Sequence, residues 1–141
     1  MSRNGLLLDT CAVIYAALGR PMRAEASVAI EAASREGRLH VSPIVAWELG
    51  LLTRAGTRNS LFTAGEAGEL VRSVFARRDV IAPPLTPDIL FASSHLPGTF
   101  HRDPADRIHV ATARLFNLTL ATDDREIIAY AAQGHLQVLE V

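Results

Sequence analysis

Short apolar runs alternate along the chain with longer stretches in which apolar residues recur at helical spacing. Leu6 to Leu8 predict a buried strand. Ala12 to Leu18 and Arg23 to Glu36 read as helices, the first closed by Gly19 and Pro21 and the second by Gly37. Leu39 to Val41 predict a second strand, after which Ser42 and Pro43 supply a cap and a first-turn proline for a helix reaching about Arg54. Beyond a loop at Gly56 to Ser60, Thr63 to Arg77 is helical, weakened by Gly65 and Gly68. Val80 to Ala82 predict a third strand, stopped by Pro83 and Pro84, and Thr86-Pro87 opens a helix to about Ser94. Asp103-Pro104 opens the clearest helix, to Phe116, with Ile108, Ala111, Thr112, Leu115 and Phe116 on one face. Thr119 to Ala121 and Leu136 to Val141 add two strands with a short helix between them. This alternation predicts an α/β fold: a mostly parallel sheet of about five strands, covered on both faces.

Composition narrows the picture. A length of 141 residues with 49% hydrophobic content fits a single domain over residues 1–141. The net charge of -1 argues against a generally basic nucleic-acid coat and leaves room for a local patch. Every basic residue is arginine; lysine is absent. The one cysteine, Cys11, permits no intramolecular disulfide and fits a reducing compartment. No signal-like apolar region precedes Asp9 and no run of about 18 apolar residues follows, so a cytoplasmic protein without membrane contact is expected.

The acids carry the chemistry. Asp9 falls directly after the first strand, where parallel sheets bind ligands, although Asp9 or Thr10 at this position also suits a helix cap. Glu48 lies inside an apolar helix whose same-face neighbours are Ile44, Val45, Leu51 and Leu52, so its partner must come from elsewhere in the fold. Trp47 beside it is expected in the core. Asp103 is the natural cap before Pro104, and Asp106 then sits in the first turn, where the helix dipole favours a negative charge by about 0.3–1 kcal/mol. In LATDDRE, Asp123 suits the cap of the last helix with Glu126 reaching back, which leaves Asp124 without a structural duty.

Asp9, Glu48, Asp106 and Asp124 thus gather from distant segments at or near one edge of the sheet. Two carboxylates ~4 Å apart repel by about 4 kcal/mol at an effective dielectric of 20, and a divalent cation removes that conflict. Oxygen donors alone favour Mg²⁺ or Mn²⁺, ions suited to phosphoryl chemistry.

Four blocks in order, LLLDT, SPIVAWELGLL, HRDPADRIHVATAR and NLTLATDDREIIAY, resemble the PIN domain, specifically the VapC-type toxins of bacterial toxin–antitoxin pairs. The resemblance implies a PIN-like α/β/α sandwich and a Mg²⁺-dependent endoribonuclease, with Mn²⁺ as the alternative ion, that inhibits translation and growth. Its motif positions fall on Asp9, Glu48, Asp106 and Asp124 as catalytic and metal-binding residues. The three aspartates are implied to hold the metal, and Glu48 to help bind it or to orient the attacking water. Thr10 matches the small hydroxyl residue after the first acid, whereas Cys11 departs from the family pattern. Thr10, Arg107 and Arg102 are candidate substrate contacts, and Arg54, Arg58, Arg72, Arg77, Arg78 and again Arg102 candidates for a basic rim. A homodimer and a small VapB-type antitoxin are the implied protein partners, and RNA the substrate.

Rival classes fit less well. Haloacid-dehalogenase-type phosphatases need a second aspartate where Cys11 stands and a lysine that the chain lacks; a phospho-receiver module also needs lysine. The five histidines show no metal-ligand spacing, and there is no Gly-rich phosphate loop. A catalytically silent PIN scaffold acting through protein contacts is the non-enzymatic alternative.

Overall fold

A computed structural model describes residues 4–54, 61–101 and 103–141. Arg58, Arg102 and the predicted Gly56 to Ser60 loop lie outside the described residues. The chain runs β1 (Leu6–Leu8), α1 (Thr10–Leu18), α2 (Ala24–Arg35), β2 (Leu39–Val41), α3 (Ile44–Leu52), α4 (Ala64–Ala76), β3 (Val80–Ile81), α5 (Pro87–Ser93), α6 (Pro104–Leu115), β4 (Thr119–Thr122), α7 (Arg125–Ala131) and β5 (Val138–Glu140). The five strands pair in the order β3-β2-β1-β4-β5, all parallel. The α/β architecture is therefore the expected one, with the predicted strand at Leu136 to Val141 shortened to its central residues.

Alternation along β1 builds the two sides of the sheet. Leu6 and Leu8 pack with Val13, Ala33 and Leu49 from α1, α2 and α3, while Leu7 packs with Val110, Ile127 and Tyr130 from α6 and α7. A third group joins Ile44, Ile89 and Ile108 across α3, α5 and α6. Trp47 is not in any of these clusters. It is 48% exposed, because Val45 and Leu49 define the inward face of α3 and the residue midway between them points outward.

Order in the sheet fixes where chemistry can occur. From β1 the chain moves outward to β2 and β3 on one side, then returns to lay β4 and β5 on the other. The β1/β4 boundary is thus the topological switch point, and the crevice outside its carboxyl ends is the natural ligand site of such a sheet. Asp9 follows β1 and Asp123-Asp124 follow β4, so both flank that crevice.

Candidate functional site

Each acid at the crevice is positioned by backbone it also serves. Asp9 caps α1: its Oδ1 accepts from the Ala12 amide at 2.9 Å and from the Cys11 thiol at 2.9 Å. The Thr122 hydroxyl also bonds the Asp9 side chain and accepts the Asp124 amide at 3.0 Å, tying the ends of β1 and β4 together. Burial pushes the Asp9 carboxyl above the usual carboxylate range, although His109, Cys11, Thr122 and the Ala12 amide all pull the other way. Burial and the adjoining carboxylates likewise raise the Cys11 thiol, so it stays protonated and acts as a donor.

Asp103 caps α6 through amides of Ala105 and Asp106, at 2.9 and 3.1 Å, which sets Asp106 in the first turn facing the crevice. Its carboxyl is pushed up to about 7, first by burial and then by the charges of Asp103, Asp124 and Glu48, with His109 offsetting part of the effect. Asp124, rather than Asp123, caps α7: its Oδ1 accepts from Glu126 and Ile127 amides at 2.8 and 3.1 Å. The capping role expected of Asp123 thus falls to Asp124, which also stays at the crevice. Asp123 instead accepts from the Tyr15 hydroxyl at 2.5 Å, because the turn after β4 directs it back over α1.

Glu48 does find its partners on other elements. Its Oε1 accepts from the Thr10 hydroxyl and from His109 Nε2, the latter at 2.9 Å. His109 is fully buried in α6, one turn beyond Asp106. Burial favours the neutral imidazole, but the Glu48 bond and the charges of Glu48, Asp9 and Asp106 outweigh it and raise the group above its ordinary value. Its Nδ1 is buried without a partner among the described residues.

A second histidine enters from the loop before α6. His101 Nε2 lies 3.2 Å from Asp106 Oδ2, and its Nδ1 lies 3.1 Å from Glu126 Oε2. Donor atoms of His101, Asp106 and Asp124 all fall within 4.8 Å of one another, and this trio fits a divalent cation in donor chemistry and spacing. Asp9 and Glu48 are not part of the trio; they adjoin it through Thr122 and His109. Neither histidine was marked by ligand spacing in sequence. His109 carried a weaker signal, an ionisable residue one turn after Asp106 on the same helix.

Of the candidate substrate contacts, Thr10 is buried against Glu48, and Arg102 lies outside the described residues. Arg107 turns away from the acids: its guanidinium donates to the carbonyls of Ser93 at 2.7 Å, His101 at 3.1 Å and Phe100 at 3.4 Å. Those bonds hold the α5–α6 connection. In the proposed basic rim, Arg72 pairs with Glu69 and Arg77 with Asp79, both at 2.6 Å. A groove between α1, α2 and α4 lies elsewhere on the surface, and none of Asp9, Glu48, Asp106 and Asp124 lines it. Among the described residues no helix is long and apolar enough to cross a membrane.

A parallel sheet with a carboxylate cluster at its switch point places the chain among the α/β proteins that bind ligands outside the carboxyl ends of their strands. The chain belongs to the PIN domain family, whose model matches residues 6–133. Among solved structures it is similar to VapBC2 from Rickettsia felis bound to a DNA fragment from its promoter, with a TM-score of 0.67 and 16% identity over 96% of this chain and 97% of that one. A toxin–antitoxin complex from Klebsiella pneumoniae gives 0.63 at 22% identity, covering 96% of each chain. FitAcB from Neisseria gonorrhoeae gives 0.53 at 24%, covering 95% of this chain and 96% of that one. A sequence search of curated proteins yields no match.

Proposed function

We propose that the protein is a metal-dependent endoribonuclease, using Mg²⁺ or Mn²⁺, that acts as the VapC-type toxin of a toxin–antitoxin pair. The observation that carries this reading is the carboxylate cluster at the β1/β4 switch point of a PIN domain, where Asp106 is raised to about 7 by burial and by the negative charge around it. A cluster with that imbalance is suited to a divalent cation.

Asp9, Asp106 and Asp124 are the proposed metal-holding groups, and Glu48 assists them or orients the attacking water. When bound, the ion supplies positive charge against the phosphodiester and makes water a better nucleophile. Water attacks phosphorus, the 3′-oxygen leaves with a proton, and the products carry a 5′-phosphate and a 3′-hydroxyl. Thr10 and His109 position Glu48 by converging on its Oε1. Arg107 acts through the loop it braces.

A VapB-type antitoxin is the proposed partner, supported by the resemblance of the fold to proteins solved as toxin–antitoxin complexes and by the groove whose walls include Val13, Ala17, Ile30 and Val74. Large exposed apolar residues such as Trp47 and Phe91 agree with a further protein contact, read here as a homodimer. The whole chain is proposed to act as one cytoplasmic domain.

The test is cleavage of RNA by purified wild-type protein and Asp9→Asn in Mg²⁺, Mn²⁺ and EDTA. Cleavage confined to wild type with a divalent ion is expected. Equal cleavage in every lane ends the nuclease reading, and an intact fold that binds no divalent ion favours the silent scaffold.

A further inference from the structure

Cys11, where the chain departs from the family pattern, places a thiol between two acids at the crevice. From the second residue of α1 its Sγ donates to Asp9 Oδ1 at 2.9 Å. The same Oδ1 accepts the Ala12 amide at 2.9 Å as the helix cap, so two donors converge on one carboxylate oxygen. The sulfur is also within hydrogen-bonding reach of Asp123, both its amide and its carboxylate. A thiol has one hydrogen to give, and the two carboxylates compete for it. Asp123 Oδ2 is already engaged by the Tyr15 hydroxyl at 2.5 Å, which weakens its claim and leaves the hydrogen with Asp9. The sulfur in turn accepts from the Asp123 amide, so Cys11 joins the turn after β4 to the acid after β1.

We infer that Cys11 is a positioning residue of the proposed metal centre: its thiol occupies Asp9 Oδ1 and so leaves Oδ2 as the oxygen that Asp9 offers to the ion. That role rests on the reading of Asp9 as a metal-holding residue and assigns the oxygen used. Donors to a carboxylate oxygen lie near the carboxylate plane, along its lone pairs, so two of them on Oδ1 set that plane where one leaves it free to turn. Carboxylates that ligate metals are held in this way by hydrogen bonds from behind, and removing such a partner weakens metal binding. A thiol that merely filled the space between α1 and the turn after β4 would have no such effect on an ion.

Calorimetry of Mn²⁺ binding to the full chain separates the two roles. Cys11→Ala should bind Mn²⁺ about 10-fold more weakly than wild type, the lower edge for loss of such a partner. Cys11→Ser keeps a donor at the same position and should restore most of that affinity. The chain holds a single thiol, so its infrared S–H stretch reports the bond directly. In metal-free wild type the band should lie at the low frequency of a hydrogen-bonded thiol, and it should rise in Asp9→Asn, whose neutral amide is a weaker acceptor. The band is read with Cys11 in place, so it decides the matter even if Cys11→Ala does not fold. Equal Mn²⁺ affinity in Cys11→Ala and wild type, or a loss in Cys11→Ser as large as in Cys11→Ala, overturns the inference and leaves the acidic centre standing. An S–H band that Asp9→Asn does not move does the same. Absence of any Mn²⁺ binding to wild type removes the metal centre and this inference together.

Discussion

His109 Nε2 lies 2.9 Å from Glu48 Oε1, joining residues 61 positions apart in the chain. The pair locks α6 to α3 beside the acids. Removing one member leaves the other buried beside an altered charge. Glu48→Ala is expected to lower stability by about 1.5–3 kcal/mol, the range for losing a hydrogen bond to a charged group. In a double-mutant cycle with His109→Leu, measured by urea unfolding, the combined loss should fall short of the sum by at least about 0.5 kcal/mol. Additive losses would show that the pair is a neighbourly contact without coupling.

Asp124 has two separable duties. Its Oδ1 caps α7, a task that asparagine performs about as well, while metal binding needs the negative charge. Asp124→Asn should therefore melt like wild type and lose divalent-ion binding. Asp124→Ala should lose both, with a stability penalty of about 1 kcal/mol. Full metal affinity in the folded asparagine variant would remove Asp124 from the centre.

The acids should set an unusual pH dependence in metal-free protein. Folded Asp106 holds its proton up to about 7, while the unfolded chain releases it near 3.8. Between those values the folded state binds the extra proton, so stability falls as pH rises through the window. Asp9 and His109, both raised, act in the same direction. Asp79, held down to about 2 by Arg77 and Ser34, contributes stability above 3.8 that is lost only at more acid pH, and so stays out of this window. Protein in EDTA is expected to melt lower at about pH 8 than at about pH 5, and Asp106→Asn should flatten the slope. A slope identical in wild type and Asp106→Asn is the contrary result.

Arg107 braces carbonyls, so its removal should act on structure before substrate. Arg107→Ala is expected to lose about 1.5–3 kcal/mol of stability, with Mn²⁺ affinity falling as the His101 loop loosens. Wild-type stability and metal affinity combined with weakened RNA binding would instead make Arg107 a phosphate contact.

Much of the frame was legible because strands and helices follow local apolar periodicity. The β1 leucines, the Thr86 and Asp103 caps, and the Gly19 stop all appear as the sequence predicts. The misread positions depend on direction within a turn or across the fold. Asp123 and Asp124 are adjacent and chemically alike, and only the turn after β4 decides which one caps. Trp47 has the composition of core but the phase of a surface residue on α3. His101 and His109 reach the acids from positions with no regular spacing between them, so linear pattern could not join them. Glu48 was recognisable by exclusion, since its own helix offered no partner; the identity of the partners was set by tertiary packing.

The pairing of Leu8 with Ala121 has a consequence for what change the protein can absorb. Asp9 and Asp124 are counted out from that rung, so their separation is specified in whole residues. Loops elsewhere can lengthen at little expense to this geometry. A single residue inserted between Leu6 and Asp9 would exchange the leucines between the two covered faces of the sheet and carry the carboxylate off the crevice at once. The centre is therefore tolerant of drift in the surrounding surface and brittle toward indels in two short strands, a genetic signature measurable by scanning insertions across the gene.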